Sequence, residues 1–190
     1  MKANIWNMLA VLTKKPQSKV QRAVRGFAEI GICAAIASAV FAADRLFKNS
    51  IEKQPDENFP HPLPGKAGES ARFEKCHNPG FMMGTFRSLP QLVTILPAIN
   101  IGIAVLDIMI LTIQNGSRMV RFGMSLIIGG GLSNLYDRLH HGYVIDYLNI
   151  RKGPLSKIVM NIGDIAIFLG SFLVGMRGMF VREKKSKKET

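Results

Sequence analysis

Two carboxylates stand out by their surroundings. Asp146 sits among apolar and aromatic residues in "GYVIDYLN", just past a glycine-rich apolar run. Eighteen residues on, Asp164 opens another apolar run in "MNIGDIAIFLG". Like charges a few Å apart in a poorly solvated site cannot both ionise cheaply, so one pKa rises and the pair shares a proton. The ionised partner can draw a proton from water while the protonated partner donates to a carbonyl oxygen. That is acid–base hydrolysis of an amide, without metal or covalent intermediate. Taken singly, Asp164 reads as a helix cap and Asp146 as a solvated loop acid. Their company points to a shared site: Asn134, Asp137 and Arg138 in "SNLYDRLHHG", Asn161 before Asp164, Asn78 in "HNPGFMMG", and Asp44 and Lys48 in "ADRLFK".

Other chemistries fit less well. His140 and His141 are adjacent, point apart and read as exposed loop residues rather than, with Asp137, a zinc site. Cys76 beside His77 is poorly placed for a thiol nucleophile. "GKAGES" lacks the spacing of a phosphate loop, and no G-x-S-x-G motif occurs. No metal and no cofactor is expected.

The elements that must position these groups are membrane spans. The chain of 190 residues is 47% hydrophobic yet has a net charge of +12, a combination that fits apolar spans alternating with basic ends. A bilayer crossing takes roughly 20 apolar residues. Four stretches qualify: about Gly26–Ala43, Leu89–Ile113, Met119–Leu135 and Ile162–Val181. Lys2, Lys14, Lys15, Lys19, Arg22 and Arg25 precede the first, Arg182, Lys184, Lys185, Lys187 and Lys188 follow the fourth, and Arg118 and Arg121 occupy the turn between the second and third. The positive-inside rule puts all three groups in the cytoplasm, both termini included, and leaves Asp44–Ser88 and Tyr136–Asn161 outside. These basic residues flank spans without aromatic interleaving, which favours a membrane surface over nucleic acid.

The first span is longer than a signal-peptide h-region, so it is expected to remain as a span despite the small residues of "ASAVFAAD". Cys33, preceded by a bulky Ile32, is misplaced for lipidation, and with Cys33 in the membrane and Cys76 outside no disulfide is expected. Residues 1–25 read as a basic cytoplasmic arm with a candidate interfacial helix in "NIWNMLAVL", and 182–190 as a basic tail. Within the outer loop 44–88, strands are expected around Ser50–Lys53 and Arg72–Phe86, forming a small sheet on the membrane. Pro90 and Pro97 predict a bend in the second span. Small residues at Ser125, Gly129 and Ser133, and at Ala166 and Gly170, predict close helix packing. Glu29, Asp107 and Arg121 are expected to pair with one another rather than to form an ion relay.

These motifs carry a resemblance. "GGGLSNLYDRLHHGYVIDY" and "MNIGDIAI" resemble the G-N-x-x-D-R-x-x-x-G-x-V-x-D-F and F-N-x-A-D-x-x-I motifs of lipoprotein signal peptidases (signal peptidase II), bacterial membrane aspartic peptidases. "HNPGFMMG" and "ADRLFK" are similar to N-x-G-x-A-F and D-x-x-x-K. The resemblance covers roughly Gly26–Val181. It implies an all-α membrane protein, four transmembrane helices with a small extracytoplasmic β-sheet, in residues 26–181. It further implies that Asp146 and Asp164 are the catalytic pair, that Asn78, Asn134, Arg138 and Asn161 hold the substrate backbone, and that Asp44, Lys48 and Asp137 support the site. The implied reaction removes the signal peptide of a prolipoprotein before a cysteine bearing diacylglycerol, with globomycin as inhibitor. The implied partners are prolipoproteins and membrane lipids, with no nucleic acid, and a monomer is expected. The setting would be the bacterial cytoplasmic (inner) membrane.

The sequence departs from the motifs at several points. Ser133 replaces Gly, Gly163 replaces Ala, Met160 and Tyr147 each replace Phe, and Pro79 and "FMM" alter the first outer motif. Two other readings of the chain compete: a non-catalytic binder of lipidated peptides or lipid head groups, and an ion carrier using Asp107 and Glu29.

Overall fold

Ser18 opens the first helix, α1 (Lys19–Glu52), through a capping box: its hydroxyl accepts from Gln21 N at 3.1 Å and its own N–H donates to Gln21 Oε1 at 3.2 Å. In the structure, a computed structural model, residues 18–81 and 85–189 are described. The candidate interfacial helix at 4–12 lies outside them.

α1 runs well past the expected end of the span at Ala43, and Ser50–Lys53, expected as a strand, is its last turn and cap. The cause is local. No Gly or Pro interrupts the chain between Ala43 and Pro55, and the Asp44–Lys48 ion pair at 2.8 Å links successive turns of the helix. Both residues are thereby placed on a rigid helix rather than on a loop.

α2 (Pro90–Ile113) begins with Pro at its first position, where no N–H is needed, and continues through Pro97. α3 (Arg118–His141) ends at Gly142, whose φ of 79° is the left-handed conformation that glycine adopts without penalty. α4 spans Ile162–Glu189. Of these, α1, α2 and the Ile162–Met179 part of α4 are long and apolar enough to cross a membrane. α3 does not meet that measure. It packs against all three other helices, and its polar Arg121, Ser125, Ser133, Asn134 and Asp137 are buried among them. An exposed apolar surface, including Ile95, Ile99 and Ile103 of α2 and Phe168 and Phe172 of α4, surrounds this polar centre.

Glycine lets the backbones meet. A Cβ on Gly130 would lie 2.2 Å from the carbonyl oxygen of Gly163, and one on Gly129 would lie 2.5 Å from that of Ala37. Gly123 and Gly170 approach each other's carbonyls in the same way, at 2.8 and 2.4 Å. The glycines of α3 thus serve packing, as expected of Gly129, whereas Ser125 and Ser133 use their hydroxyls in hydrogen bonds to Arg121 O and Asp44 Oδ2.

The sheet is antiparallel, in the order β1 (His61–Pro62), β2 (Ala71–Asn78), β3 (Val144–Ile150) and β4 (Val159–Met160). Its inner strands come from two different inter-helix segments, whereas the sequence pointed to strands in the first alone. The strand expected over Arg72–Phe86 ends at Asn78. In the β2–β3 register Cys76 faces Asp146 and Asn78 faces Val144. Both cysteines are free.

At the opposite end of the helices, Glu29 is the hub of an ion cluster with Arg121 at 2.6 Å, Arg25 at 3.1 Å and Arg118 at 3.6 Å. Arg121 also donates to the carbonyls of Leu111 and Gly116, closing the α2–α3 turn. The expected pairing holds for Glu29 and Arg121, but Asp107 does not join it among the described residues. The ion-carrier reading thereby loses one of its two acids to a network of arginines.

Candidate active site

Asp146 and Asp164 reach the site from different kinds of element. Gly142 stops α3, and the β-branched Val144 and Ile145 then pair with β2, so Asp146 stands buried on a strand rather than in a solvated loop. Asp164 lies in the first turn of α4, where it completes a reciprocal cap with Asn161: Asp164 N donates to Asn161 Oδ1 at 2.8 Å, and Asn161 N donates to Asp164 Oδ2 at 3.2 Å. The N-cap expected at Asp164 is thus Asn161, while Asp164 returns the bond from the third helical position, which also aims its carboxyl.

Asn161 joins the two acids. Its Nδ2 donates to Asp146 Oδ1 at 2.7 Å and to Asn134 Oδ1 at 3.1 Å. Asn134 Nδ2 in turn donates to Asp164 Oδ1 at 2.8 Å, and Asn78 Nδ2 to Asp146 Oδ2 at 3.1 Å. Each oxygen of both carboxyls thus accepts a hydrogen bond from an amide group, and the expected residues Asn78, Asn134, Asn161, Asp146 and Asp164 are brought together. Burial, and after it the neighbouring Asp164 charge, push the Asp146 carboxyl up to about 7, against the pull of the Asn78 and Asn161 donors. Asp146 is 2% exposed, so water does little to relieve the repulsion.

Arg138 borders the same site. Nη2 donates to Gly80 O at 3.0 Å, and the guanidinium lies over the Phe81 ring at 5.5 Å. Its buried Nε has no hydrogen-bond partner among the described residues. A buried donor of this kind beside two acids has its hydrogen-bonding capacity to spare among the described residues.

Beneath the acids lies a buried charge cluster. Lys48 is 2.8 Å from both Asp44 and Asp137, and its Nζ donates to Asn134 Oδ1 at 2.7 Å. All three charged groups are 0% exposed, which is tolerable only because each is paired. Asp137 also accepts from Ile145 N at 3.1 Å and from Arg45, tying α3 to β3 and α1. Lys48 fixes which way the Asn134 amide faces, since its oxygen must meet the ammonium and its nitrogen is then left for Asp164.

Sequence reasoning assigned no role to Arg45 or Tyr147, and gave Ser133 close helix packing alone. Arg45 pairs with Asp137 and covers the Tyr136 ring at 4.6 Å. The Ser133 hydroxyl donates to Asp44 Oδ2 at 2.6 Å, and the Tyr147 hydroxyl donates to Asp44 Oδ1 at 3.0 Å while accepting from Ile162 N at 3.1 Å. Tyrosine on a strand buried on both faces signals a hidden partner for its hydroxyl, but nothing in the chain says which.

The other candidate chemistries find no support. His140 stacks on Tyr136 and His141 on Tyr143. Burial, then the Asp146 charge, push the Cys76 thiol up, the wrong direction for a thiolate nucleophile.

Comparison with known proteins identifies the family. A family model described as "Signal peptidase (SPase) II" matches residues 36–180. The chain is 31% identical over 146 residues to the lipoprotein signal peptidase of Moorella thermoacetica, covering 73% of this chain and 87% of that one. It is 32% identical over 151 residues to the lipoprotein signal peptidase of Aquifex aeolicus, covering 77% and 85%. Among solved structures, a "Bacterial membrane enzyme structure by the in meso method at 2.3 A resolution" shares the fold, with a TM-score of 0.67 at 21% identity, covering 85% of this chain and 94% of that one.

Proposed function

The chain belongs to the signal peptidase II family, and from that premise we propose that it removes signal peptides from diacylglyceryl-modified prolipoproteins, with Asp146 and Asp164 as the catalytic pair. The observation that carries the assignment is the single asparagine, Asn161, that hydrogen-bonds both carboxyls while Asp146 holds its proton up to about neutral pH.

In this reading the pair enters the cycle with one proton between them. The ionised carboxylate takes a proton from a water, whose oxygen attacks the carbonyl carbon before the lipidated cysteine. The protonated partner gives its proton to the carbonyl oxygen, forming a tetrahedral diol. The C–N bond then breaks as a proton passes to the leaving nitrogen, and the carbonyl reforms as the acid of the released signal peptide. Arg138 Nε and the Asn78 side chain hold the substrate backbone, and Asn134 and Asn161 keep the acids aligned. Asp44, Lys48 and Asp137 support them from below.

The proposed topology has four spans, with α3 as the inner one, and the sheet and paired acids on the extracytoplasmic side. The basic arm 1–25 and tail 182–190 are then cytoplasmic, flanking a 26–181 peptidase domain in a bacterial membrane. Three helices of spanning length, an apolar outer surface and basic chain ends support this. A substrate anchored by its lipid would present its scissile bond at the depth where the sheet meets the helices.

The test is cleavage of a diacylglyceryl-modified precursor by the detergent-purified protein, followed by mass spectrometry of the product. Wild type should release a peptide that begins with the lipidated cysteine, and Asp146→Asn and Asp164→Asn should each reduce the rate by at least about a hundredfold. Undiminished cleavage by both variants would remove the catalytic assignment. Precursor binding with no product from wild type would favour a non-catalytic binder.

A further inference from the structure

We propose that the Ser133 and Tyr147 hydroxyls are positioning groups for the reaction: together they clamp Asp44 beneath the paired carboxyls and, through Lys48 and Asn134, hold Asp164 in register with Asp146. This rests on the catalytic reading of the pair.

The geometry is convergent. Asp44 is fully buried, and its two oxygens receive one hydroxyl each, Tyr147 on Oδ1 and Ser133 on Oδ2. Lys48 shares Oδ2 at 2.8 Å, with Ser133 Oγ 3.5 Å from its Nζ. A buried carboxylate held by two neutral donors and one cation has a fixed direction and cannot swing toward Lys48 alone. The ammonium is then balanced between Asp44 and Asp137 and stays on Asn134 Oδ1, whose amide nitrogen reaches Asp164.

A second contact reaches the pair by another route. Tyr147 accepts the N–H of Ile162, which opens α4 two residues before Asp164. Between them, a Cβ on Gly163 would stand 3.1 Å from Asp44 Oδ2, so the carboxylate lies directly against the backbone that carries Asp164. Ser133, Tyr147 and Gly163 are three of the positions at which the sequence departs from the motifs it resembles, and all three meet this one carboxylate. The departures read as one adjustment: glycine makes room for Asp44, and two hydroxyls hold it there.

Among the described residues, the charged groups that act on the pair are Asp44 and Lys48 from α1, Arg138 from α3 and the Asp164 charge on Asp146, with Asp137 bearing on Lys48 and Arg138 and Cys76 opposite Asp146 on β2. Losing a hydroxyl leaves the Asp44 charge less compensated, so a more negative field acts on the pair and its proton is held to higher pH.

The experiment compares Tyr147→Phe, Ser133→Ala and Asp44→Asn, alone and combined, in cleavage of the diacylglyceryl precursor from pH 5 to 9. Each hydroxyl deletion is expected to lower kcat about tenfold with KM within about twofold, and to move the alkaline limb of the profile to higher pH. In the Asp44→Asn background neither deletion should move that limb further. Unchanged limbs in the single variants, or equal shifts with and without Asp44, would overturn the proposal. Thermal stability as a function of pH, which needs no substrate, gives a parallel reading: its step near neutral pH should move upward in both hydroxyl variants. Failure of the peptidase reading shows as a wild type that does not cleave, and the stability step then still decides whether the clamp exists.

Discussion

The side-chain nitrogen of Asn161 lies 2.7 Å from Asp146 Oδ1, and the same asparagine forms the reciprocal cap with Asp164. One residue therefore relates a strand carboxyl to a helix carboxyl. Asn161→Ala should lower kcat for precursor cleavage by about a hundredfold and cost about 2–4 kcal/mol of stability, since the buried amide both caps α4 and satisfies Asp146 and Asn134. A variant that cleaves within twofold of wild type would show that the acids align without it.

The titration of Asp146 has a signed consequence for stability. Its carboxyl titrates at about 7 in the folded protein and near the ordinary 3.8 when unfolded. Between those values the folded state keeps a proton that the unfolded chain has released, so stability falls as pH rises from about 4 to about 7, by up to about 4 kcal/mol. Asp146→Asn cannot release that proton. Its melting temperature should exceed that of wild type above pH 7 and match it near pH 4. Cleavage by wild type should decline above about pH 7, as the pair loses its shared proton. Melting curves with the same pH dependence in variant and wild type would contradict this.

Lys48 is the one cation between two buried carboxylates, 2.8 Å from each. Lys48→Met keeps the volume and leaves Asp44 and Asp137 facing each other with one cation fewer. The expected loss is about 3–5 kcal/mol, read as a fall in melting temperature in detergent. Recovery of stability at pH 4, where carboxyls can protonate, would identify charge rather than packing as the cause.

Gly130 meets Gly163 with no room for a side chain, a Cβ there falling 2.2 Å from the Gly163 carbonyl oxygen. Gly130→Ala should destabilise the protein by about 3 kcal/mol or more and displace Asp164 with α4. Gly175→Ala, where a Cβ would meet nothing within 4 Å, should be neutral or slightly stabilising and serves as control. Equal melting temperatures for the two variants would refute the close contact.

The site was more legible in the sequence than the elements that build it. Asp146 and Asp164 with Asn78, Asn134 and Asn161 could be gathered because carboxylates and amides at the edges of apolar runs have few reasons to be there. That Asp146 rides on a strand could not be read, because "VIDYLNI" lacks the alternation of a half-solvated strand; Val144 to Tyr147 are all buried. Ser50–Lys53 carried no mark separating a strand from a helix that had not yet ended, and the Asp44–Lys48 pair that prolongs it is a tertiary fact as much as a local one. The partners of Ser133 and Tyr147 are 89 and 103 residues away in the chain, beyond any local pattern. Asp107 failed the opposite way: its charge suggested a partner that its side of α2 does not supply among the described residues.

The polar character of α3 bears on how the protein is made. Under the proposed four-span topology, a helix with Arg121 near one end and Asn134 and Asp137 near the other is poorly accepted by hydrocarbon alone, since each group then needs a partner or a path to the interface. It becomes acceptable only against α1, which supplies Lys48 and Arg45 to Asp137. Under that topology, insertion of α3 should depend on α1 being at hand to receive it. In chains with Lys48 and Arg45 both neutralised, the segment from α3 into β3 should become more open to proteolysis in isolated membranes, and unchanged protection there would disprove this dependence.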